Sequence, residues 1–228
     1  MNLLLISIAP VAIILFYIYY RDKYEKEPIS FLLKGLAAGM IIVFPILIAE
    51  QTIGSLLPFL FRGAIGTAFG KAFLVAALCE EAFKLLALYL LIWRNRNFNE
   101  RFDGIVYAVF VSLGFALVEN VLYVFSNGMG TGIARAFTAV PAHAMFGIMM
   151  GYYLGLAKFS PNHSNKGLMF QLAFLVPFFI HGIYDFILMV NIPWVLIFFF
   201  PFIIYLMKKT NAKMTELSDK SIFRNRSK

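Results

Sequence analysis

Seven ionisable residues of this chain stand inside apolar runs: Glu80, Glu81 and Lys84 in one, Glu119 in the next, His143 in a third, and His181 with Asp185 in a fourth. An ionisable group at the centre of a membrane helix costs about 2.5–3.5 kcal/mol on insertion scales, so each is a functional candidate. Spacing says how they combine. Lys84 is four residues from Glu80 and three from Glu81, so on a helix it reaches either carboxylate. Adjacent helix positions differ by about 100° in direction. One glutamate should therefore face a reacting centre while the other pairs with the lysine; Glu80 is read as the working acid and Glu81 as the structural partner of Lys84. His181 and Asp185, four apart, share a face on which the carboxylate can orient the imidazole or serve as a ligand. Pro141 and Gly147 around His143 permit a distorted, closely packed helix. Two histidines and several carboxylates in one cavity suit hydrolysis in two forms. In one, a divalent zinc is held by two histidines and a carboxylate, and a remaining glutamate takes the proton from water. In the other no metal is needed, and a glutamate acts as base while histidine and its partners stabilise the oxyanion. No HExxH signature decides between them. Cys79, the single cysteine, excludes an internal disulfide framework and reads as a small buried residue. His163, in a polar stretch, reads as solvated, and Glu50 and Asp103, near the ends of runs, as reachable by water.

The elements that must position these groups are membrane helices. The 228 residues are 61% hydrophobic and 14% charged, with a mean hydropathy of +0.80. Soluble domains are about 45–50% apolar and about 25% charged. That excludes a soluble enzyme, a nucleic-acid-binding domain and a disordered chain, despite a net charge of +8. Apolar runs long enough to span lie near 2–20, 31–49, 72–93, 103–125, 134–157, 168–190 and 192–207, predicting an all-α bundle of seven transmembrane helices. The last run carries Pro193 and Pro201 and is expected to kink. Gly54–Gly70, interrupted by Pro58, Arg62, Gly63 and Gly66, is expected to be interfacial or re-entrant. Glu27-Pro28 should open the second helix. The first run has no basic leader and no small-residue cleavage site, so it reads as a span and not as a signal peptide.

Orientation comes from the basic residues. Alternate loops and the C-terminal segment hold sixteen Lys and Arg, against three in the other loops. This places the N-terminus outside and the C-terminus in the cytoplasm. Residues 1–207 form the membrane domain, and 208–228, with seven basic residues, a mobile cytoplasmic tail. With that orientation Glu80 lies about 13 Å and Glu119 about 10 Å from the outer surface, with His143 and His181 at a similar depth. Four helices thus put polar groups in one layer, which implies a single cavity.

These residues fall into recognisable motifs. Glu80–Lys84 (EEAFK) resembles the EExxK motif of the PrsW family of intramembrane proteases, and Phe115–Glu119 (FALVE) its FxxxE motif. His143-Ala144 with Gly147 resembles HAxxG, and His181–Asp185 (HGIYD) resembles HxxxD. YRDKYEKEP at Tyr20–Pro28, DGIVY at Asp103–Tyr107, SLGFA at Ser112–Ala116 and GYYLG at Gly151–Gly155 extend the likeness. The resemblance implies a bacterial plasma-membrane protease that makes the first, extracytoplasmic cut in a membrane-anchored anti-sigma factor during a stress response. The family is distantly similar to the CAAX prenyl endopeptidases. Carried over, Glu80 is the base, Glu81 pairs with Lys84, and His181 with Asp185 supports the transition state. Glu119 and Asp185 stand where that more distant group has His and Asn; the added negative charge favours zinc, with Glu119, His143 and His181 as ligands. Two other classes remain in view, an ion- or proton-coupled carrier and a non-catalytic immunity or scaffold protein. The first would predict internal repeats, and the second would tolerate loss of Glu80. The bilayer is the expected surrounding partner and nucleic acid is not.

Overall fold

A computed structural model describes residues 2–224, and among these the regular elements are all helical. Helix α1 (Leu3–Arg21) is capped by the Asn2 side chain, which accepts from the Leu4 N–H. Helices α2 (Ile29–Ile41) and α3 (Val43–Leu60) come next and are almost continuous. They part at Ile42 because Pro45 lacks an N–H and its ring crowds the carbonyl four residues back, that of Ile41. Pro28 is the N-cap of α2. A turn at Phe61 and Arg62 leads into α4 (Gly63–Phe69), a π-helical stretch (Gly70–Ala77) and α5 (Leu78–Ile92), one unbroken helical run. Then come α6 (Arg101–Asn127), α7 (Met129–Phe137), α8 (Ala139–Lys158), α9 (His163–Met189), a short 3-10 turn at Val195–Phe198 and α10 (Phe199–Asp219).

Six of these stretches are long and apolar enough to cross a bilayer: Leu3–Arg21, Ile29–Leu60, Arg101–Asn127, Met129–Lys158, His163–Met189 and Val195–Asp219. They coincide with six of the seven expected spans. The seventh lies within the run 63–92, which carries Lys71, Glu80, Glu81 and Lys84 and is not among the six. Gly54–Gly70 is not a separate broken segment. Its first part completes α3 and its last part is α4, with Gly63 at φ +71° making the turn between them. The predicted kink near Pro193 is a full break, and Pro201 falls in the first turn of α10, where a missing N–H costs little.

The core is built around α6, in which every residue from Phe102 to Ala116 is buried. Close contact with α2 and α8 depends on glycine. A Cβ at Gly151 would lie 2.1 Å from the Gly104 carbonyl oxygen, and one at Gly114 would lie 2.1 Å from that of Leu36. Small residues let helix backbones approach where lipid supplies no hydrophobic drive. Leu and Phe side chains on the outer faces of α1, α3 and α10 are exposed, as lipid-facing surface requires.

The expected mobile tail is corrected by the structure. Helix α10 continues to Asp219, burying Thr210, Met214 and Leu217, an i, i+4, i+7 stripe that the many lysines masked in the sequence. Thr215 accepts from Arg21 at 2.7 Å, and Tyr152 donates to Glu216 at 3.0 Å. The last part of the expected tail, 225–228, lies outside the described residues.

Candidate active site

The π-helical stretch Gly70–Ala77 ends one residue before Leu78, directly ahead of Glu80 and Glu81. A π turn adds a residue and re-aims the side chains beyond it, a device common at functional sites. Phe73 on this stretch packs so closely on α9 that a Cβ at Gly182 would meet its ring at 2.3 Å. This contact draws the glutamate pair against His181, the neighbour of Gly182. The Ser112 hydroxyl of α6 donates to the His143 carbonyl of α8 at 2.7 Å, and Gly147 packs against α6, so the His143 turn is held in place.

The helices enclose a cavity of about 610 Å³. Glu80, Glu119, His143, His181 and Asp185 line it, together with Glu50, Arg135 and Tyr184. Glu81 and Lys84 stand behind the wall, both fully buried. All seven groups selected from the sequence connect through short contacts. Lys84 Nζ lies 2.8 Å from Glu80 Oε2 and 2.9 Å from Glu81 Oε1. The lysine was expected to pair with one glutamate; it bridges both. Its reach extends to His143 Nδ1 at 3.3 Å and over the Phe115 ring at 4.4 Å. Because an ammonium only donates, His143 accepts at Nδ1 and presents Nε2–H to Glu119 Oε2, 2.9 Å away.

His181 is fixed from the other side. Its Nδ1 lies 2.9 Å from Glu81 Oε1, which leaves Nε2 toward Asp185 Oδ2 at 3.3 Å and Glu80 Oε1 at 4.0 Å. The ring stacks on Phe146 at 4.7 Å, and the two imidazole centroids are 5.7 Å apart. Glu80 lies between them, with its other oxygen 4.0 Å from His143 Nδ1.

Glu119 does not share a tight donor cluster with both histidines. It belongs with His143 and with Arg135, whose Nη2 donates at 2.7 Å. The tightest set on this side is Glu80, Glu81 and His181, whose donor atoms all lie within 4.8 Å of one another. Lys84 already supplies positive charge to both of those carboxylates. The residues present suit a metal: two imidazoles and the carboxylates of Glu80, Glu119 and Asp185 face one cavity.

Sequence reasoning missed Arg135 and Glu50. Arg135, on the short helix α7, binds Glu119 and Asn120 and lies over the Tyr123 ring at 4.2 Å. Nothing in its local sequence marks it, since its partners are on α6. Glu50 sits partly buried on the cavity wall, not at a water-exposed helix end. Asp103 departs from expectation further and is wholly buried. Cys79 is buried as expected, and His163 is exposed at the first turn of α9.

The family described as PrsW family intramembrane metalloprotease matches residues 27–207. Among curated proteins, the chain is similar to "Protease PrsW" of Geobacillus kaustophilus, 40% identical over 193 residues, covering 85% of this chain and 82% of that protein. Similarity to the protein of the same name from Oceanobacillus iheyensis is 42% over 188 residues, covering 82% and 83%. For that of Bacillus subtilis it is 35% over 200 residues, 88% of each. No solved structure matches the chain.

Proposed function

The chain belongs to the PrsW family of intramembrane metalloproteases, and on that premise we propose that it cuts a membrane-anchored anti-sigma factor on the extracytoplasmic side, with Glu80 as the base toward water. It is a bacterial multi-pass membrane protease, and its substrates are membrane proteins. The anti-sigma factor is the substrate that the family resemblance implies. The observation that carries the catalytic reading is the place of Glu80. It is the member of the glutamate pair on the cavity wall, with one oxygen 4.0 Å from each imidazole.

Each neighbour has a task in this reading. Glu80 takes a proton from the attacking water and returns it to the leaving amine. Lys84 donates to both glutamates and sets its positive charge against theirs in an apolar surrounding. Glu81 accepts from His181 Nδ1 and so aims Nε2 at the cavity. Without a metal, His181, steadied by Asp185, would be the donor to an oxyanion forming at the substrate carbonyl. A metal, zinc in our reading, would be held by Glu119, His143 and His181, with His143 giving up the Nε2–H it now presents to Glu119; it would polarise the carbonyl and lower the pKa of water. Glu80 and Glu81 are the less suitable holders, because Lys84 already neutralises them.

The test uses purified protein in lipid vesicles with a single-span anti-sigma factor, the products mapped by mass spectrometry. Wild-type protein should release a fragment cut on the extracytoplasmic side. Glu80→Gln should slow cleavage by at least about 10²-fold while leaving a folded protein, its unfolding midpoint lowered by loss of one of the two carboxylates on Lys84. Cleavage by Glu80→Gln at the wild-type rate would remove the catalytic assignment. Cleavage of other single-span proteins but of no anti-sigma factor would remove the substrate.

A further inference from the structure

A second polar cluster lies at the far end of α6. Asp103 is sixteen residues before Glu119, about 24 Å along the helix axis. Around it gather Asp22, Glu25 and Glu27 from the connection between α1 and α2, and Asn99 and Glu100 from the segment before α6. The cluster joins two sequence motifs, YRDKYEKEP and DGIVY, that the cavity does not use.

Its donors are few. Asp103 Oδ2 accepts from the Asn99 and Glu100 N–H groups at 2.8 and 2.7 Å, closing a capping box with Glu100. The Tyr107 hydroxyl donates to Glu27, Asn99 Nδ2 to Glu25 at 3.0 Å, and the Ser221 hydroxyl to Glu100 at 2.6 Å. Among the described residues, four buried acceptor oxygens have no hydrogen-bond partner: Asp22 Oδ2, Glu25 Oε2, Asn99 Oδ1 and Asp103 Oδ1. Asp103 is 0% exposed and Asp22 1%. Among the described residues none of these carboxylates forms an ion pair. Lys26, in the same connection, donates instead to the Tyr19 carbonyl and lies over the Tyr19 ring at 4.7 Å. Ligand atoms of Glu25, Glu27 and Asp103 all lie within 4.8 Å of one another.

We propose that this cluster is a structural site for a hard divalent cation, Mg²⁺ or Ca²⁺, held by Glu25, Glu27 and Asp103 with the Asn99 amide oxygen and Asp22 completing it. Buried carboxylates without compensation are costly, and the unpaired oxygens are what a cation would satisfy. The donor set is oxygen throughout, with no imidazole or thiolate, which selects hard cations over zinc or copper. The bound ion ties the α1–α2 connection to the first turn of α6. Through Glu100 and Ser221 it also steadies the chain just beyond α10.

The test takes the full chain in detergent, stripped with a chelator and then freed of it. Adding Mg²⁺ or Ca²⁺ should raise the unfolding midpoint by about 5 °C. Mn²⁺, monitored by electron paramagnetic resonance, should bind at a saturable site from which Mg²⁺ or Ca²⁺ displaces it. Glu25→Gln, at a partly exposed position that folding tolerates, should weaken Mn²⁺ at least about tenfold, and Glu27→Gln likewise. Glu80→Gln should leave both responses unchanged, separating this site from the catalytic cavity. The proposal is overturned if the wild type shows no cation-dependent shift, or if Glu25→Gln and Glu27→Gln keep the full response. Stabilisation of the cation-free protein by either Gln variant, with no cation binding in the wild type, would overturn it too and show protons shared in place of a metal.

Discussion

Glu80 and Glu81 are neighbours in sequence, yet only one of them reaches the cavity, because consecutive side chains on a helix point about 100° apart. Lys84 touches both, so the two carboxylates share one buried cation. Glu81→Gln should therefore cost stability, about 3 kcal/mol, the low end for breaking a buried pair because Lys84 keeps Glu80. It should also release His181 from its Nδ1 acceptor and slow cleavage. Unfolding midpoints and cleavage rates measured on the same preparations would check this; a stable, fully active Glu81→Gln would refute it. Arg135 is the residue to test beside Glu119. Arg135→Gln should leave a folded protein and lower cleavage by about tenfold, with Arg135→Lys recovering part of the loss, since a lysine keeps the charge but not the fork. Equal activity in all three proteins would make the Arg135 contact structural only.

At the scale of elements, two features bring these residues together. The π-helical stretch re-aims the glutamate pair, and the α6 seam sets how far His143 stands from Glu119. Glycines at Gly104, Gly151 and Gly155 let α6 and α8 touch backbone to backbone, and a Cβ at Gly155 would come within 2.3 Å of the Arg101 carbonyl oxygen. Gly151→Val should therefore force the helices apart and cost about 3 kcal/mol or more. Gly167→Val, at a position on α9 with open space around it, should change stability by less than about 0.5 kcal/mol. Thermal unfolding of the two variants, compared with wild type, gives the contrast directly. Similar losses for both would mean that the seam is looser than its geometry.

For the whole molecule, orientation and metal content are the open measurements. In a Cys79→Ser background, a cysteine at Asn97 should resist an impermeant reagent in intact cells, while one at Ala64 should react. The basis is the sixteen-to-three division of basic residues between alternate loops. Labelling at Asn97 with protection at Ala64 would invert the topology. Purified enzyme should contain close to one zinc per chain beyond any hard cation, and chelation should abolish cleavage until zinc is restored. His181→Ala should lose that zinc. An active, chelator-resistant enzyme without zinc would leave Glu80, His181 and Asp185 to act unaided.

The residues of the cavity were legible in the sequence because ionisable groups in apolar runs are expensive and hence conspicuous. Glu80, Glu81, Lys84, Glu119, His143, His181 and Asp185 could all be named from position alone, and of the seven spans counted from apolar length six are long apolar helices in the structure. Which of these groups touch was not legible. Periodicity orders the side chains around one helix, but it holds no information on which face of which neighbour they meet. Only the packed structure shows Lys84 bridging two glutamates, Arg135 reaching Glu119 from another helix, and Glu50 on the cavity wall. The same limit hid the acidic cluster. Asp103 read as a charge near a run's end and Glu27 as part of a helix start, and it is the folding of the α1–α2 connection onto α6 that buries them together with Asp22. Helix α10 was concealed for a related reason: its lysines suggested a solvated tail, while burial of Met214 and Leu217 depends on partners contributed by distant parts of the chain.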